Sequence, residues 1–438
     1  MKTGKLIALS VAIVGALVLG LVRLRSVSRK TVLVVNSTES RATSKADERI
    51  LNAQQAIEKA PDRSGGYNQL AAAYMQKARE TADFAFNAKA DEALTRSLAV
   101  ERDNYDALKL SAKLQLTYHR FAEALETTRL ARNVRTDDHD VWGQITDALV
   151  ELGDYRGAVQ SAQKMVDLRP DSSAYARVSY LRSLHGDTYG AIFAMNAAVK
   201  AANPNDPEGI AWCRAQLGNE LMNVGKLEAA ERQFDEALRT FPGHHLALQG
   251  KARARVAAGD LQGALNIYGQ EQQQRPSADA AQALGDLYTL LGQGDVAKHE
   301  YEKFESLERE NAALERSWHH MLNYWLDHNQ NLGEAVTLAA REYETRKDIF
   351  TCDSLAWALF KNGRVGEAKR LINEALRTGT KDARINYHAG IIFKAMNIRD
   401  KAVKHLQLGA ALNSSFDPAQ AETSKKMLAE LRGHHSRL

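Results

Sequence analysis

Residues 139–172 read HDVWGQITDALVELGDYRGAVQSAQKMVDLRPDS. Trp142, Ile145 and Leu149 recur at helical spacing, so they share one face of a helix. Gly153-Asp154-Tyr155 interrupts that stripe. Glycine readily takes the left-handed backbone found just past a helix end, so the first helix stops there. Ala158, Ala162 and Met165 begin a second stripe, and Pro170 closes it, because proline cannot continue a helix interior. The stretch is two short helices joined by a turn. Each has one apolar face that a neighbour must cover.

Outward from this stretch one residue keeps time: Ala90, Ala124, Ala158, Ala191, Ala230, Ala264, Ala297, Ala335, Ala368 and Ala402. Most steps are 33 or 34 residues, and two are 38 and 39. Gly225, Gly259, Gly292 and Gly363 precede their alanines by five residues, and Pro242 and Pro276 follow theirs by twelve. A fixed period of this length marks a solenoid of stacked helix pairs. Leu217-Gly218 and Leu284-Gly285 occupy matching places in their first helices. A small residue there lets two helices approach closely.

The pattern W-x2-I-T-x2-L, then G-D-Y-x2-A-x3-A-x2-M and a closing proline, resembles the tetratricopeptide repeat. The resemblance spans residues 61–416 in about ten units. It implies an all-α, right-handed superhelical solenoid of antiparallel helix pairs. First helices would line the concave side and second helices would face outward. The segments Asp353–Leu359 and Tyr387–Gly390 are similar to a widespread group of bacterial tetratricopeptide proteins, a likeness that implies no settled activity.

Departures from the period are expected to be local. The first unit carries about seven extra residues, two helical turns, so both of its helices can lengthen. The 39-residue step crosses Asn203–Pro207 and predicts a longer loop before a long helix near Glu208. The 38-residue step crosses Glu305–Ser317 and predicts an extended second helix. Asn397 and Gln330 replace the turn glycine in two units. Asparagine can take the left-handed conformation; glutamine has no such ease, so that turn is expected to differ.

Composition is that of a folded chain: 438 residues, 44% hydrophobic and 26% charged. A formal net charge of +4 is too small for this length to argue for nucleic acid. Cys213 and Cys352 fall in different units, which argues against a disulfide.

The first 30 residues lie outside the array. Leu6–Val22 is uncharged, preceded by Lys2 and Lys5 and followed by Arg23, Arg25, Arg29 and Lys30. It reads as a retained single-span anchor or, alternatively, as a cleaved signal segment. The basic flanks set the orientation poorly. The expectation is an anchored protein with an extracytoplasmic solenoid. The alternatives are a secreted or periplasmic form, or a solenoid on the cytoplasmic side. Residues 31–45 read as a linker, 46–416 as the solenoid with a half-unit cap at Ala46–Ala60, and 417–438 as a capping helix from Pro418 and a tail.

Chemistry is sparse. No phosphate loop, H-E-x-x-H, paired C-x-x-C or nucleophile elbow occurs, so no cofactor, metal or catalytic residue is assigned. His244-His245 and His434-His435 are adjacent pairs whose side chains diverge on a helix. His320, Tyr324 and His328 are spaced four apart with Asp327 beside them. That stripe is either a polar and aromatic ligand patch or a helix packing its aromatics.

Registering the units gives candidate concave positions: Arg177, Tyr180, Trp212, Asn219, Gln249, Arg253, Asp286, His320, Tyr324, Asp353, Trp357, Tyr387 and Lys394. Aromatics and arginines carry much of the binding energy at interfaces. Some family members clamp a peptide's terminal carboxylate with lysine and asparagine. Asn219 and Arg253 could imitate part of that clamp, but Gly250 stands where a donor is wanted. The resulting expectation is a membrane-tethered scaffold that binds a protein or peptide in its groove without catalysis. The alternatives are an envelope or polysaccharide-assembly factor that binds glycan through Tyr180, Tyr324 and Trp357, and a hydrolase centred on Asp327 and His320.

Overall fold

The computed structural model describes residues 44–81, 83–315, 318–412 and 418–433. The chain divides into two units, Met1–Ser44 and Lys45–Leu438. Every described helix belongs to the second.

A capping helix, α1 (Lys45–Lys59), precedes ten pairs. These are α2 (Ser64–Thr81) with α3 (Ala85–Val100), α4 (Tyr105–Thr117) with α5 (Phe121–Val134), and α6 (His139–Glu151) with α7 (Tyr155–Leu168). Next come α8 (Ser172–Leu184) with α9 (Thr188–Ala201), α10 (Pro207–Met222) with α11 (Leu227–Thr240), and α12 (His245–Ala257) with α13 (Leu261–Gln274). Then follow α14 (Ala278–Leu290) with α15 (Gly294–Glu315), α16 (His319–Asp327) with α17 (Leu332–Thr345), α18 (Ile349–Lys361) with α19 (Val365–Ala375), and α20 (Ala383–Ala395) with α21 (Arg399–Leu412). Helix α22 (Pro418–Gly433) closes the array. No strand occurs among the described residues.

The alanine column lies in the second helix of every pair, and all ten alanines are buried, none more than 2% exposed. Successive first helices touch from α2 to α12 and again from α16 to α20, as α2 does α4 and α4 does α6. Over these stretches the first helices form an inner layer. Short side chains start many helices of both kinds: Asp154 accepts from the Gly157 N–H at 2.9 Å, and Asp171 from the Ala174 N–H at 3.0 Å. Each such cap contributes about 1 kcal/mol.

The local departures take the expected form. Helices α2 and α3 run to 18 and 16 residues, α10 to 16, and α15 to 22. Asn397 takes the left-handed conformation in place of glycine. At Gln330 the strain moves aside: the flanking Asn329 and Asn331 carry the positive φ instead, 54° and 44°. His119 does the same for the α4–α5 turn, its ring stacked on Phe121.

One contact has no counterpart in the local pattern. The loop before α18 docks on the α6–α7 turn, six pairs back. The Lys347 N–H donates to the Glu151 carbonyl at 2.8 Å, and the Ile349 N–H to the Tyr155 hydroxyl at 2.8 Å. Arg346 lies 2.6 Å from Glu151 and 2.8 Å from Asp348, in a largely buried triad. The next pair repeats the join: Gly186 faces the Gly379 carbonyl so closely that a Cβ would approach within 2.6 Å. One apolar core accordingly contains Val150, Tyr155 and Leu181 together with Ile349, Leu371 and Phe393.

The anchored localisation requires correction. No helix among the described residues is long and apolar enough to cross a membrane. Helix α15, at 22 residues, has the length, but charged side chains interrupt it throughout. The Leu6–Val22 run and the expected N-terminal apolar helix lie outside the described residues, as do His434 and His435.

Candidate partner-binding surface

Two ion pairs join first helices of different pairs. Arg79, at the end of α2, lies 3.7 Å from Glu208, at the start of α10, four pairs further on. Between them the first helices α4, α6 and α8 touch in series. Arg177 of α8 fits over α6 because Gly143 has no side chain; a Cβ there would lie 3.0 Å from the guanidinium carbon. Its Nε donates to the Gly143 carbonyl at 3.1 Å, and Nε and Nη2 donate to the Asp147 carboxylate at 2.8 and 2.6 Å. Nη1 is held by Ser173. Arg177 is thus already committed to joining α6 and α8.

Lys113 of α4 is exposed to water. The surrounding protein nevertheless holds its ammonium below the usual lysine range; Arg79 and Arg177 reinforce that, and Asp140 and Asp147 oppose it. Burial likewise pushes the Glu208 carboxyl up, against the pull of Arg79. Tyr180 repeats the combination one turn of α8 away. The residue is 41% exposed, yet protein crowding, then the charges of Glu151 and Asp348, raise its hydroxyl well above the ordinary tyrosine range.

The other sequence candidates divide. Asn219 and Arg253 do meet, with Arg253 Nη2 donating to Asn219 Oδ1 at 2.9 Å, and Arg253 stays exposed. Gln249 spans Glu271 and Asp279 at 3.2 and 3.4 Å. Asp286 accepts from the Tyr301 hydroxyl at 2.8 Å. Trp212 is partly buried against its own core. Lys394 pairs with Glu430 of the final helix at 2.6 Å. His320 is exposed near Asp279 and Glu308.

Four candidates are corrected. Tyr324, Asp353, Trp357 and Tyr387 are 2%, 3%, 6% and 8% exposed, so they fill the packing between units and do not line an open face. Tyr324 is enclosed by Tyr301, Phe304 and His328. Trp357 stacks on His388 at 4.1 Å, and Asp353 bonds His388 Nδ1 at 2.9 Å. The Asp327–His320 pair does not assemble either, because Asp327 pairs with Arg384 at 2.7 Å. Asp138, His139 and Asp140 are close enough to share an ion. Lys109 and Tyr105 already engage Asp138, however, and Asp171 engages His139 at 2.9 Å.

Sequence reading missed Arg79, Lys113 and Glu208. Lys113 precedes Ala124 by the same eleven residues that separate Tyr180, Asn219 and Arg253 from their alanines. Extending the register two units earlier would have found it. The Arg79–Glu208 approach depends on curvature summed over four pairs, which no local signal carries.

Residues 216–280 match the tetratricopeptide repeat family. Protein FlbA of Caulobacter vibrioides is 25% identical over 179 residues, 40% of this chain and 29% of that protein. The chain therefore spans under a third of that relative's length. The human IFIT1 dimer with m7Gppp-AAAA superposes with a TM-score of 0.50 at 13% identity, over 75% of this chain and 76% of that one. The Cut9 and Hcn1 hetero-tetramer of the APC/C gives a TM-score of 0.38 at 16% identity, over 87% and 67%. At these identities the first likeness speaks for the helical-repeat fold alone.

Proposed function

We propose that the array is a scaffold that holds a protein or peptide partner along its inner layer, with no chemistry of its own. The observation that carries the reading is Tyr180, a large aromatic side chain open to water on a first helix. Lys113 and Arg253, both exposed on first helices, extend the same surface. A wall built on packed helices is preformed, so binding spends little free energy on ordering the receptor. The glycan alternative loses two of its three aromatics, because Tyr324 and Trp357 are buried.

Selection of displayed random twelve-residue peptides on the immobilised protein tests this. Affinities of the selected peptides are then measured by fluorescence anisotropy. Tyr180→Ala or Arg253→Glu should weaken binding about tenfold, the effect of losing one interface anchor. Tyr189→Ala and Phe193→Ala, on exposed positions of the second helix α9, should leave it unchanged. Binding lost with the α9 variants and kept with the inner ones would refute the reading.

A further inference from the structure

We infer that the join between the α6–α7 turn and the loop before α18 is a proton-operated clasp, which closes when Glu151 takes up a proton and loosens when Glu151 ionises. The clasp is independent of what the inner layer binds.

Two carboxylates share one guanidinium in this join. Arg346 Nε lies 2.6 Å from Glu151 Oε2 and 2.8 Å from Asp348 Oδ2. A single N–H serves two acceptors poorly. Glu151 Oε2 is shut off from water and accepts no hydrogen bond among the described residues. Asp348 is better served. It accepts from the Phe350 and Thr351 N–H groups at 2.8 and 3.2 Å, and from the Thr351 hydroxyl at 2.5 Å. The helix ends favour the same division. Asp348 caps the N-terminus of α18, where negative charge is stabilised, and Glu151 is the last residue of α6, where it is not. Of the two, Glu151 is the carboxyl placed to hold a proton. Burial pushes it up to about 7, against the pull of Arg346 and with the help of Asp348.

The other charged groups around the join have partners of their own. Asp147, on α6, is paired with Arg177 of α8 at 2.6 Å. Arg377 donates to the Lys347 carbonyl at 2.5 Å and stands 5.0 Å from the centre of the Tyr155 ring. The Lys347 ammonium stands 4.2 Å from the Tyr343 ring, and Glu342 accepts from the Trp318 N–H at 3.3 Å. The Tyr155 and Tyr180 hydroxyls and the Cys352 thiol are all pushed up, chiefly by burial, so they stay neutral here. Ionised Glu151 therefore competes with Asp348 for Arg346. Protonated, it leaves those two as a one-to-one pair. The closed join holds the Glu151 proton more tightly than water does. Its contribution to closure is complete below about 4.5 and is lost as pH rises through about 7.

A solenoid unit needs only its neighbours, so a contact across six pairs can open while each pair stays folded. Closed, the clasp fixes α7 and α18 against each other. Open, it frees the small rotations of the pairs between them to add up.

Hydrogen exchange of the full-length protein tests the clasp. Protection is followed from about pH 5 to about pH 8 at the Lys347 and Ile349 amides, which cross the join. The reference is the Lys226 amide, which closes the α10–α11 turn on the Leu221 carbonyl. Glu271 titrates in the same range, so every protein compared carries Glu271→Gln. With Glu151 intact, the join amides should lose about tenfold in protection relative to Lys226, the effect of one unit of pKa difference between closed and open states. Glu151→Gln, neutral throughout, should hold them near their acid value. Tyr155→Phe should lower protection at every pH and keep the pH dependence. If Glu151→Gln loses protection with pH as its parent does, another group titrates and the inference is overturned. A parent profile that is flat, or that rises with pH, overturns it without any change at Glu151.

Discussion

Replacing Gly250 with alanine should destabilise the array, although alanine is the better helix former. Phe234 of α11 is fully buried, and its ring fills the gap between Gly218 of α10 and Gly250 of α12. A Cβ on Gly218 would lie 2.5 Å from the ring, and one on Gly250 2.3 Å, far inside van der Waals contact. Overpacking of this kind costs about 1–3 kcal/mol. The helix-propensity gain of alanine over glycine offsets about 0.5–1 kcal/mol. The net loss should be about 0–2.5 kcal/mol. Gly269, inside α13 with open space where its Cβ would go, is the control. Gly269→Ala receives only the gain and should stabilise by about 0.5–1 kcal/mol. Repeat arrays need not unfold in one step, so helicity followed in urea should be joined by hydrogen exchange at α11 amides. Phe234→Leu in the Gly250→Ala background should recover part of the loss, since a shorter side chain clears the new methyl. If Gly250→Ala and Gly269→Ala shift stability alike, the wedge reading of Phe234 is wrong.

Tyr155→Phe should loosen the join between α6–α7 and α18, because it leaves the buried Ile349 N–H without an acceptor, at about 1–3 kcal/mol; faster exchange at Ile349 and Lys347 is the readout, and unchanged exchange counts against the join. Burial pushes the Glu271 carboxyl up to about 7, against hydrogen bonding from Gln249. The folded state therefore holds that proton more tightly, and the stabilisation is present below about 4.5 and lost as pH rises through about 7; Glu271→Gln should flatten that part of the profile. His244 has the opposite sign. Burial, reinforced by His245, holds its imidazole down at about 4, so its contribution is present above about 6.5 and lost as pH falls through about 4; His244→Asn should remove that acid sensitivity. Asp154→Ala deletes the cap of α7 and should cost about 1 kcal/mol by denaturant titration.

What the sequence made legible is what repeats every unit. The alanine column marks the contact between the two helices of a pair and is buried in all ten. The turn glycines mark the left-handed residue, and where glycine is missing the chain recruits Asn329, His119 or Asn397 nearby. The Phe234 wedge was half visible. Gly218 promised a close approach, but the partner is an aromatic ring on the helix between, and the same ring explains Gly250.

The candidate site was less legible because membership of a first helix does not decide which way a side chain faces. Consider the column eleven residues before each alanine. It reads Arg79, Lys113, Asp147, Tyr180, Asn219, Arg253 and Asp286, then Tyr324, Trp357 and Ile391. The first seven are exposed or partly exposed, and the last three are buried. The switch from mostly polar to apolar is written in the sequence, and it marks where an open wall becomes a packed interior. In the last pairs the neighbours of Trp357 are His388 and Phe360, so the position that would hold a partner holds the chain itself. The join between Glu151, Tyr155 and Arg346 lies beyond any such column. It depends on the rotation from one pair to the next, summed over six pairs, and a small error per step would separate Ile349 from Tyr155. That geometry is fixed by how tightly each pair packs, which is why residues as local as Phe234 and Gly250 bear on the shape of a distant binding wall.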